Sequence, residues 1–216
     1  MLKIFTWLAE ILLDFCIRLF AWGKTKEQLA QLKTKQWYSN LFELIEFALT
    51  VGFLFIIIKT FIMQPFLVQQ QSMEPTIKPF NYIIVDRFSY RFLYEPTRGE
   101  VIVFRSSDNT RYLIKRVIGL PNERVLIENT KTTIFNTTHP EGVVLNESYV
   151  KNATPNTKVD RILGEKEYFV MGDNRLVSLD SRVIGPITRD QIVGRTFIRL
   201  FPFNTISLFP GKVSLE

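Results

Sequence analysis

An apolar stretch close to the N-terminus places the strongest constraint on how this chain can fold. Residues 47–68 are strongly apolar, and Lys59 is their only charged residue. A helix of this length, at about 1.5 Å per residue, would be roughly 33 Å long, which matches a hydrocarbon core of about 30 Å. We therefore predict a transmembrane anchor over 41–68 whose helix ends near Pro65, with a buried core helix as the alternative.

The residues before this stretch divide into an apolar segment and a basic segment. Residues 1–22 place one charged stripe on an otherwise apolar helix pattern, which is typical of an interfacial helix, with a second membrane span as the alternative. Residues 23–40 are rich in lysine, whereas 64–79 contain one basic residue. By the positive-inside rule, we expect residues 23–40 in the cytoplasm and the chain beyond about residue 64 on the extracytoplasmic side of a plasma membrane.

Beyond residue 80 the apolar pattern changes from long runs to short ones. These runs are rich in Val, Ile, Phe and Tyr, and turn-forming segments separate them. No helical period of ten residues stands between the runs, which argues against a parallel sheet with crossover helices. We therefore predict a mainly β fold, with an antiparallel exported domain over 69–216 that is barrel-like or a folded sandwich.

The composition excludes several kinds of chemistry. The chain has one cysteine, Cys16, and one histidine, His139, which are too few for a Cys/His zinc site. The net charge of +6 comes from 27 basic and 21 acidic residues, and no basic run interleaved with aromatic residues indicates nucleic-acid binding. We therefore expect no metal, no cofactor and no nucleic-acid partner, and hydrolytic chemistry would need a base other than histidine unless it used His139.

Two segments carry a serine and a lysine that together could replace a histidine-based site. Ser72 closely follows the apolar stretch, and considered alone it is a solvent-facing serine in a turn. Lys115 lies in the apolar segment 112–119, where burial and the neighbouring Arg116 would lower its pKa. A neutral lysine can accept the proton of a serine hydroxyl. The alternative is an edge strand that its charges protect from aggregation.

A third polar segment, residues 172–182, follows a predicted strand and is rich in turn-forming residues. Within it, Ser178 could orient a lysine amine by a hydrogen bond, and Asp180 could form an ion pair with Arg182 that fixes the loop. The alternative is a well-hydrogen-bonded turn without a catalytic role.

Four motifs in the same order resemble the successive boxes of the bacterial type I signal peptidase family. They are SMEPT at 72–76, RGEVIVF at 98–104, KRVIGLP at 115–121, and GDNR followed by DSR within 172–182. The resemblance covers about residues 41–203 and includes the predicted anchor. It implies an antiparallel β catalytic core with a small inserted β cap near 122–168. It also implies a peptidase that cleaves signal peptides from exported precursors after small-x-small sites.

The resemblance also assigns roles to individual residues. Ser72 matches the nucleophile and Lys115 the general base of a Ser-Lys dyad. Ser178 matches the serine that holds the lysine, and Asp180 with Arg182 match the pair that supports the site. The positions that line the S1 and S3 substrate pockets in the family are occupied by apolar residues here, which are Phe66, Val68, Met73, Leu113 and Ile114.

Gln70 departs from the family pattern at a position that matters for catalysis. Many members have Ser or Thr there, whose hydroxyl joins the backbone N–H of the nucleophile in the oxyanion hole. Gln70 could donate from its amide instead, or the site could depend more on the backbone. Loss of one oxyanion donor can slow such a reaction by about 10²–10³-fold.

The expected partners follow from the resemblance and the predicted anchor. They are the signal peptides of secreted precursors, membrane lipid, and the protein export machinery as a neighbour. Two other functions remain open at this point. One is a self-cleaving repressor-type Ser-Lys protease, and the other is a membrane-anchored β binding module in which Lys115 is solvated and charged.

Overall fold

The computed structural model describes residue 11 and the ranges 36–57, 63–106, 110–150, 152–154 and 157–215. These residues belong to two units, Met1–Thr60 and Phe61–Glu216. The helix predicted over 1–22, apart from Ile11, and most of the basic segment predicted over 23–40 lie outside the described residues.

In the first unit, helix α1 comprises Gln36–Ile57. The hydroxyl of Thr50 donates to the carbonyl of Glu46 at 2.8 Å, one turn earlier, so this polar side chain bonds within the helix. Large apolar side chains of α1, among them Phe47 and Phe55, are exposed. None of the helices in the described parts of the chain is both long and apolar enough to cross a membrane.

The described residues of the second unit form twelve strands joined by short helices and turns. In chain order the strands are β1 (Met63–Leu67), β2 (Tyr82–Asp86), β3 (Val101–Arg105), β4 (Tyr112–Gly119), β5 (Arg124–Glu128), β6 (Lys131–Phe135), β7 (Val143–Val144), β8 (Lys158–Ile162), β9 (Glu167–Met171), β10 (Ile187–Thr188), β11 (Ile192–Phe201) and β12 (Ser207–Leu208). The short helices are α2 (Phe88–Phe92) and α3 (Ser181–Ile184), and 3₁₀ turns occupy Arg189–Gln191 and Phe203–Thr205.

These strands form two sheets in which neighbouring strands pair antiparallel. The large sheet has the order β1-β2-β11-β3-β4-β9-β10, with β12 paired to β11. The small sheet has the order β7-β6-β5-β8 and lies within the stretch 122–168, where an inserted cap was predicted. The predicted mainly antiparallel β fold is therefore confirmed.

Strand β4 is a central strand of the large sheet and pairs with β3 and β9. Seven of its eight residues are buried, and these include both Lys115 and Arg116. Its apolar residues continue through both faces, as expected for a strand covered on two sides. The edge strand considered from the sequence is therefore wrong, because β4 has a paired neighbour on each side.

Strand β1 corrects the predicted extent of the membrane anchor. Residues 63–67, which fall within the anchor predicted over 41–68, form the edge strand of the large sheet instead. Pro65 lies opposite Ile84 of β2, and an edge strand tolerates a proline because one of its sides makes no ladder hydrogen bonds. A short apolar run can be a strand or a helix, and the apolar pattern alone did not distinguish them.

A buried ion pair joins the large sheet to the small one. The Arg98 guanidinium, at the start of the β3 segment, donates to both carboxylate oxygens of Glu123 at 2.9 and 2.6 Å. Glu123 lies just before β5 and also accepts from the amide of Asn136 and the backbone N–H of Leu120. Arg98 also donates to the carbonyl of Ile118 at 2.6 Å. These contacts fix the point at which the chain passes from one sheet to the other.

We predict that Glu123→Gln lowers the free energy of unfolding by about 3 kcal/mol, because it removes the negative charge of the buried Arg98–Glu123 ion pair. Urea denaturation followed by circular dichroism measures this change. Asp160→Asn is the matched control, since it breaks the pair with Arg124 on the small sheet, where both side chains are nearly half exposed. Equal effects of the two substitutions would contradict the stabilising role of the buried pair.

Candidate active site

Ser72 lies in a tight helical turn that follows β1. The backbone N–H of Glu74 donates to the carbonyl of Gln71, and that of Ile77 donates to the carbonyl of Met73 at 2.9 Å. Met73 and Ile77 are completely buried, so the turn is anchored by apolar side chains. Ser72 itself is 4% exposed, which contradicts the interpretation as a solvent-facing serine.

Lys115 meets Ser72 from strand β4. Its Nζ lies 2.7 Å from the Oγ of Ser72 and 2.9 Å from the carbonyl oxygen of Ile114. The side chain is 1% exposed, although the two residues are separated by 43 positions in the sequence. The binding module in which Lys115 is solvated is therefore wrong.

Burial lowers the pKa of Lys115 to about 8, and the nearby carboxylates of Asp180 and Asp173 oppose this shift. At neutral pH a useful fraction of the amine is therefore unprotonated. The sequence suggested Arg116 as a second cause, but that guanidinium points to Asp173, with N–O distances of 2.8 and 2.6 Å, and its charge is paired. Desolvation, rather than repulsion by Arg116, lowers the pKa.

Asp173 is a buried residue that bonds two segments of the site, and sequence reasoning did not assign it to the site. Besides Arg116, it accepts a hydrogen bond from the hydroxyl of Thr76 at 2.5 Å, so it links β4 to the turn that carries Ser72. Arg116 in turn donates to the carbonyls of Gly99 and Gly211. Asp173, Arg116 and Thr76 all lie within the four motifs quoted above. The sequence alone does not show that they contact one another, because these contacts depend on the tertiary fold.

Asp180 and Arg182 form the predicted ion pair, with 2.8 Å between Nε of Arg182 and the carboxylate. Asp180 also caps helix α3 by accepting from the backbone N–H of Arg182, and it accepts from the backbone N–H of Gly172 at 3.0 Å. Arg182 additionally donates to the carbonyl of Arg175. The pair therefore fixes both ends of the loop that follows β9.

Ser178 lies beside the dyad without the hydrogen bond that was predicted for it. Within the described part of the chain, its buried Oγ has no hydrogen-bond partner, so it does not hold the amine of Lys115. It packs against Gly172, where a Cβ would lie 2.3 Å from the Oγ of Ser178 and 2.5 Å from the carbonyl oxygen of Ser72. Only glycine fits this approach of the loop to the backbone of Ser72.

Gln70 is exposed, two residues before Ser72. No hydrogen bond of its side chain occurs among those described in this region. The loop after β9 contacts the segment around Ser72 through Asn174. The backbone N–H of Asn174 donates to the carbonyl of Ser72 at 3.0 Å, and its side-chain amide donates to the carbonyl of Gln71.

Four of the five residues predicted to line the substrate pockets come together. Val68, Met73 and Ile114 share one buried apolar cluster, and Phe66 packs against it. Leu113 belongs to a different cluster, with Phe104 and Val117 among its members. The reason is the alternation of a β-strand, which points Leu113 and Ile114 to opposite faces of β4.

The remaining polar groups to consider are the candidate metal ligands and His139. No group of three or more His, Cys, Asp or Glu side chains in the described residues is arranged to hold a metal ion. His139 lies in the turn after β6, in the small sheet, where its backbone N–H donates to Asn136. The dyad contacts involve Ser72 and Lys115 without it.

The chain is similar to known signal peptidases over most of its length. A family model described as signal peptidase, peptidase S26, matches residues 41–201. Signal peptidase IB of Staphylococcus aureus is 31% identical over 177 residues, which cover 75% of this chain and 92% of the relative. Probable signal peptidase I-2 of Synechocystis sp. is 32% identical over 181 residues, covering 81% and 79%.

A signal peptidase I of Enterococcus faecalis V583, known from its crystal structure, is 30% identical, with a TM-score of 0.40, and the match covers 47% of this chain and 97% of that chain. The family model extends from α1 to the end of β11 and includes all four motifs. The self-cleaving repressor considered from the sequence is thereby set aside. The chain belongs to the type I signal peptidase family, peptidase S26, and is a serine peptidase that cleaves the signal peptides of exported precursor proteins.

Proposed function

We propose that Ser72 and Lys115 form a catalytic dyad that cleaves signal peptides after small-x-small sites. The observation that carries this proposal is the 2.7 Å hydrogen bond between a buried serine hydroxyl and a buried lysine amine. With a pKa of about 8 for Lys115, the amine can act as a base near neutral pH.

In this mechanism the Oγ of Ser72 attacks the carbonyl carbon of the scissile bond while its proton passes to the Nζ of Lys115. The tetrahedral intermediate collapses as the lysine ammonium gives this proton to the leaving amine, and the signal peptide remains attached to Ser72 as an ester. A water molecule that transfers its proton to the neutral lysine then attacks the ester. Ser72 regains its proton from Lys115, and the signal peptide leaves with a carboxyl terminus.

The two ion pairs around the dyad act as supports. Asp173 and Asp180 lie close enough to raise the pKa of Lys115, but each carboxylate is engaged by an arginine, Arg116 and Arg182 respectively. Paired carboxylates stabilise the lysine ammonium less than free ones would, so the neutral amine stays accessible. Ser178 contributes by filling the space against Gly172 rather than through a hydrogen bond in this state.

The oxyanion that forms during attack needs hydrogen-bond donors beside Ser72. We assign this role to the backbone N–H of Ser72, assisted by the side-chain amide of Gln70 when substrate is bound. Exposure of Gln70 in the free protein leaves its amide able to move toward the substrate. Catalytic hydrogen bonds often tighten only when substrate is bound.

The apolar cluster beside Ser72 supports the expected preference for small residues. Val68, Met73 and Ile114 lie in this cluster, and Phe66 covers it. A substrate side chain that enters such tightly packed surroundings must be small and apolar, such as alanine. Leu113 lies in a different apolar cluster, on the face of β4 opposite to that of Ile114.

The location of the enzyme follows from the sequence pattern. We propose a plasma-membrane protein, anchored by the apolar residues around α1, with residues 69–216 on the extracytoplasmic side. The lysine-rich segment 23–40 supports this orientation. The proposal also includes contact with lipid and proximity to the export machinery. The reason is that the apolar segment of the substrate ends at the surface of the bilayer.

We expect Ser72→Ala and Lys115→Met each to reduce kcat for a purified precursor by at least about 10³-fold, because each removes one half of the dyad. Lys131→Met is the control, since Lys131 is an exposed lysine in β6. Sequencing the new N-terminus of the product verifies the cleavage site. Activity of either dyad variant close to that of the unmodified enzyme would disprove the mechanism.

We expect kcat/KM to rise about tenfold per pH unit at acidic pH and to level off above a midpoint near pH 8, where Lys115 loses its proton. The sign follows from the role of the amine as a base, since only its neutral form accepts the proton of Ser72. Initial rates between pH 6 and 9 measure the profile. A profile that falls steadily over this range is incompatible with a lysine base.

We expect Gly172→Ala to lower kcat by about 100-fold, because the added methyl group must displace Ser178 or the backbone of Ser72. Gly164→Ala is the matched control, because there a Cβ meets Glu167 at 3.5 Å, an ordinary contact. Steady-state kinetics on both folded variants test this expectation, and unchanged kcat in Gly172→Ala would show that the close approach is not needed.

A further inference from the structure

Three residues between β7 and β8 contact the loop that follows β9, and a fourth, Tyr149, contacts Arg116 of β4. We call Glu147, Tyr149, Asn152 and Thr154 the strap. Glu147 pairs with Arg175 at 2.5 Å, the Asn152 amide donates to the Asn174 side chain at 3.3 Å, and the Thr154 hydroxyl accepts from Arg182 at 2.8 Å. The Tyr149 ring lies 4.0 Å from the Arg116 guanidinium carbon. The small sheet thus reaches both arginines that engage the carboxylates near Lys115.

Glu147 is the most strongly bound residue of the strap. Its carboxylate accepts from two nitrogens of Arg175, from the hydroxyl of Thr132 at 2.9 Å and from the hydroxyl of Tyr149 at 3.0 Å. The side chains of Glu147 and Arg175 are 9% and 6% exposed. Thr132 belongs to β6, so these bonds connect the frame of the small sheet to Arg175.

Arg175 connects Glu147 to Gly172, the glycine that lies against the backbone of Ser72. Its Nε donates to the carbonyl of Gly172 at 3.0 Å, while the backbone N–H of Gly172 donates to Asp180. Both polar groups of the Gly172 backbone are therefore held by side chains. Because Gly172 lies against the carbonyl of Ser72, a shift of this loop would move the nucleophile relative to Lys115.

We propose that Glu147 is a positioning residue for the peptidase reaction. It acts through Arg175 to hold the loop at Gly172, and thereby holds Ser72 at hydrogen-bonding distance from Lys115. The inference rests on the proposed Ser72–Lys115 dyad. It gives the small sheet a role in catalysis that does not require contact with substrate.

The test compares Glu147→Gln with Asp160→Asn in the full-length chain, using steady-state cleavage of a purified precursor. Glu147→Gln keeps the size of the side chain but weakens the bidentate ion pair, and we expect kcat to fall at least tenfold with KM unchanged within twofold. Asp160→Asn removes an exposed ion pair of the same sheet and is expected to leave both parameters unchanged. Circular dichroism verifies that each variant is folded at the assay temperature.

A second variant keeps the test decisive if Glu147→Gln does not fold. Arg175→Lys retains the positive charge but cannot bind Glu147 through two nitrogens and the Gly172 carbonyl together, so the same fall in kcat is expected. Unchanged kcat in the folded variants, or a rise in KM alone, would overturn the positioning role. Ser72→Ala, assayed in parallel, separates the two proposals, because its activity would disprove the dyad itself.

Discussion

The burial of one lysine amine beside a serine hydroxyl is the constraint on which the rest of the site depends. An ammonium group resists transfer out of water, so a lysine in such a place loses its proton more easily than in solution. Lys115 is buried because β4 is a central strand whose two faces are both covered. The antiparallel sheet therefore does more than position the residue, since its packing lowers the pKa of the amine.

Burial alone would not suffice if free carboxylates surrounded the amine. Asp173 and Asp180 both lie near Lys115 and favour its charged form. Arg116 and Arg182 engage these carboxylates, and both arginines also donate to backbone carbonyls. The same ion pairs thus reduce the stabilisation of the Lys115 ammonium by these carboxylates, and they fix the segments around the amine. A site of this kind contains many buried polar groups, and most such groups in proteins are hydrogen-bonded.

The sequence predicted the parts of this arrangement that depend on residue type and order. The scarcity of histidine and the burial expected for Lys115 made a serine–lysine pair conceivable, and the resemblance of the four motifs to the signal peptidase family singled out Ser72 and Lys115, which the structure brings together. The antiparallel fold followed from short strands without intervening helices. The Asp180–Arg182 pair was also predictable, because its members are two residues apart and local geometry joins them.

What the sequence did not predict depends on tertiary contacts. Residues 63–67 continue an apolar run, and only pairing with β2 makes them a strand. Glu147 carries no local signal, since its partner Arg175 lies 28 residues away. Such contacts arise when separate sheets pack, and a motif in one segment does not describe them.

The burial of Lys115 also links its protonation to the stability of the fold. In the unfolded chain Lys115 has an ordinary pKa near 10.5, whereas in the folded protein its pKa is about 8. Between these values the unfolded state binds more protons, so this residue makes stability rise with pH across that window. Below about pH 8 both states are protonated, and the full cost of burying the charge opposes folding. The packing that places the amine beside Ser72 must therefore supply enough free energy to offset this cost, which explains why apolar clusters and buried ion pairs surround so small a site.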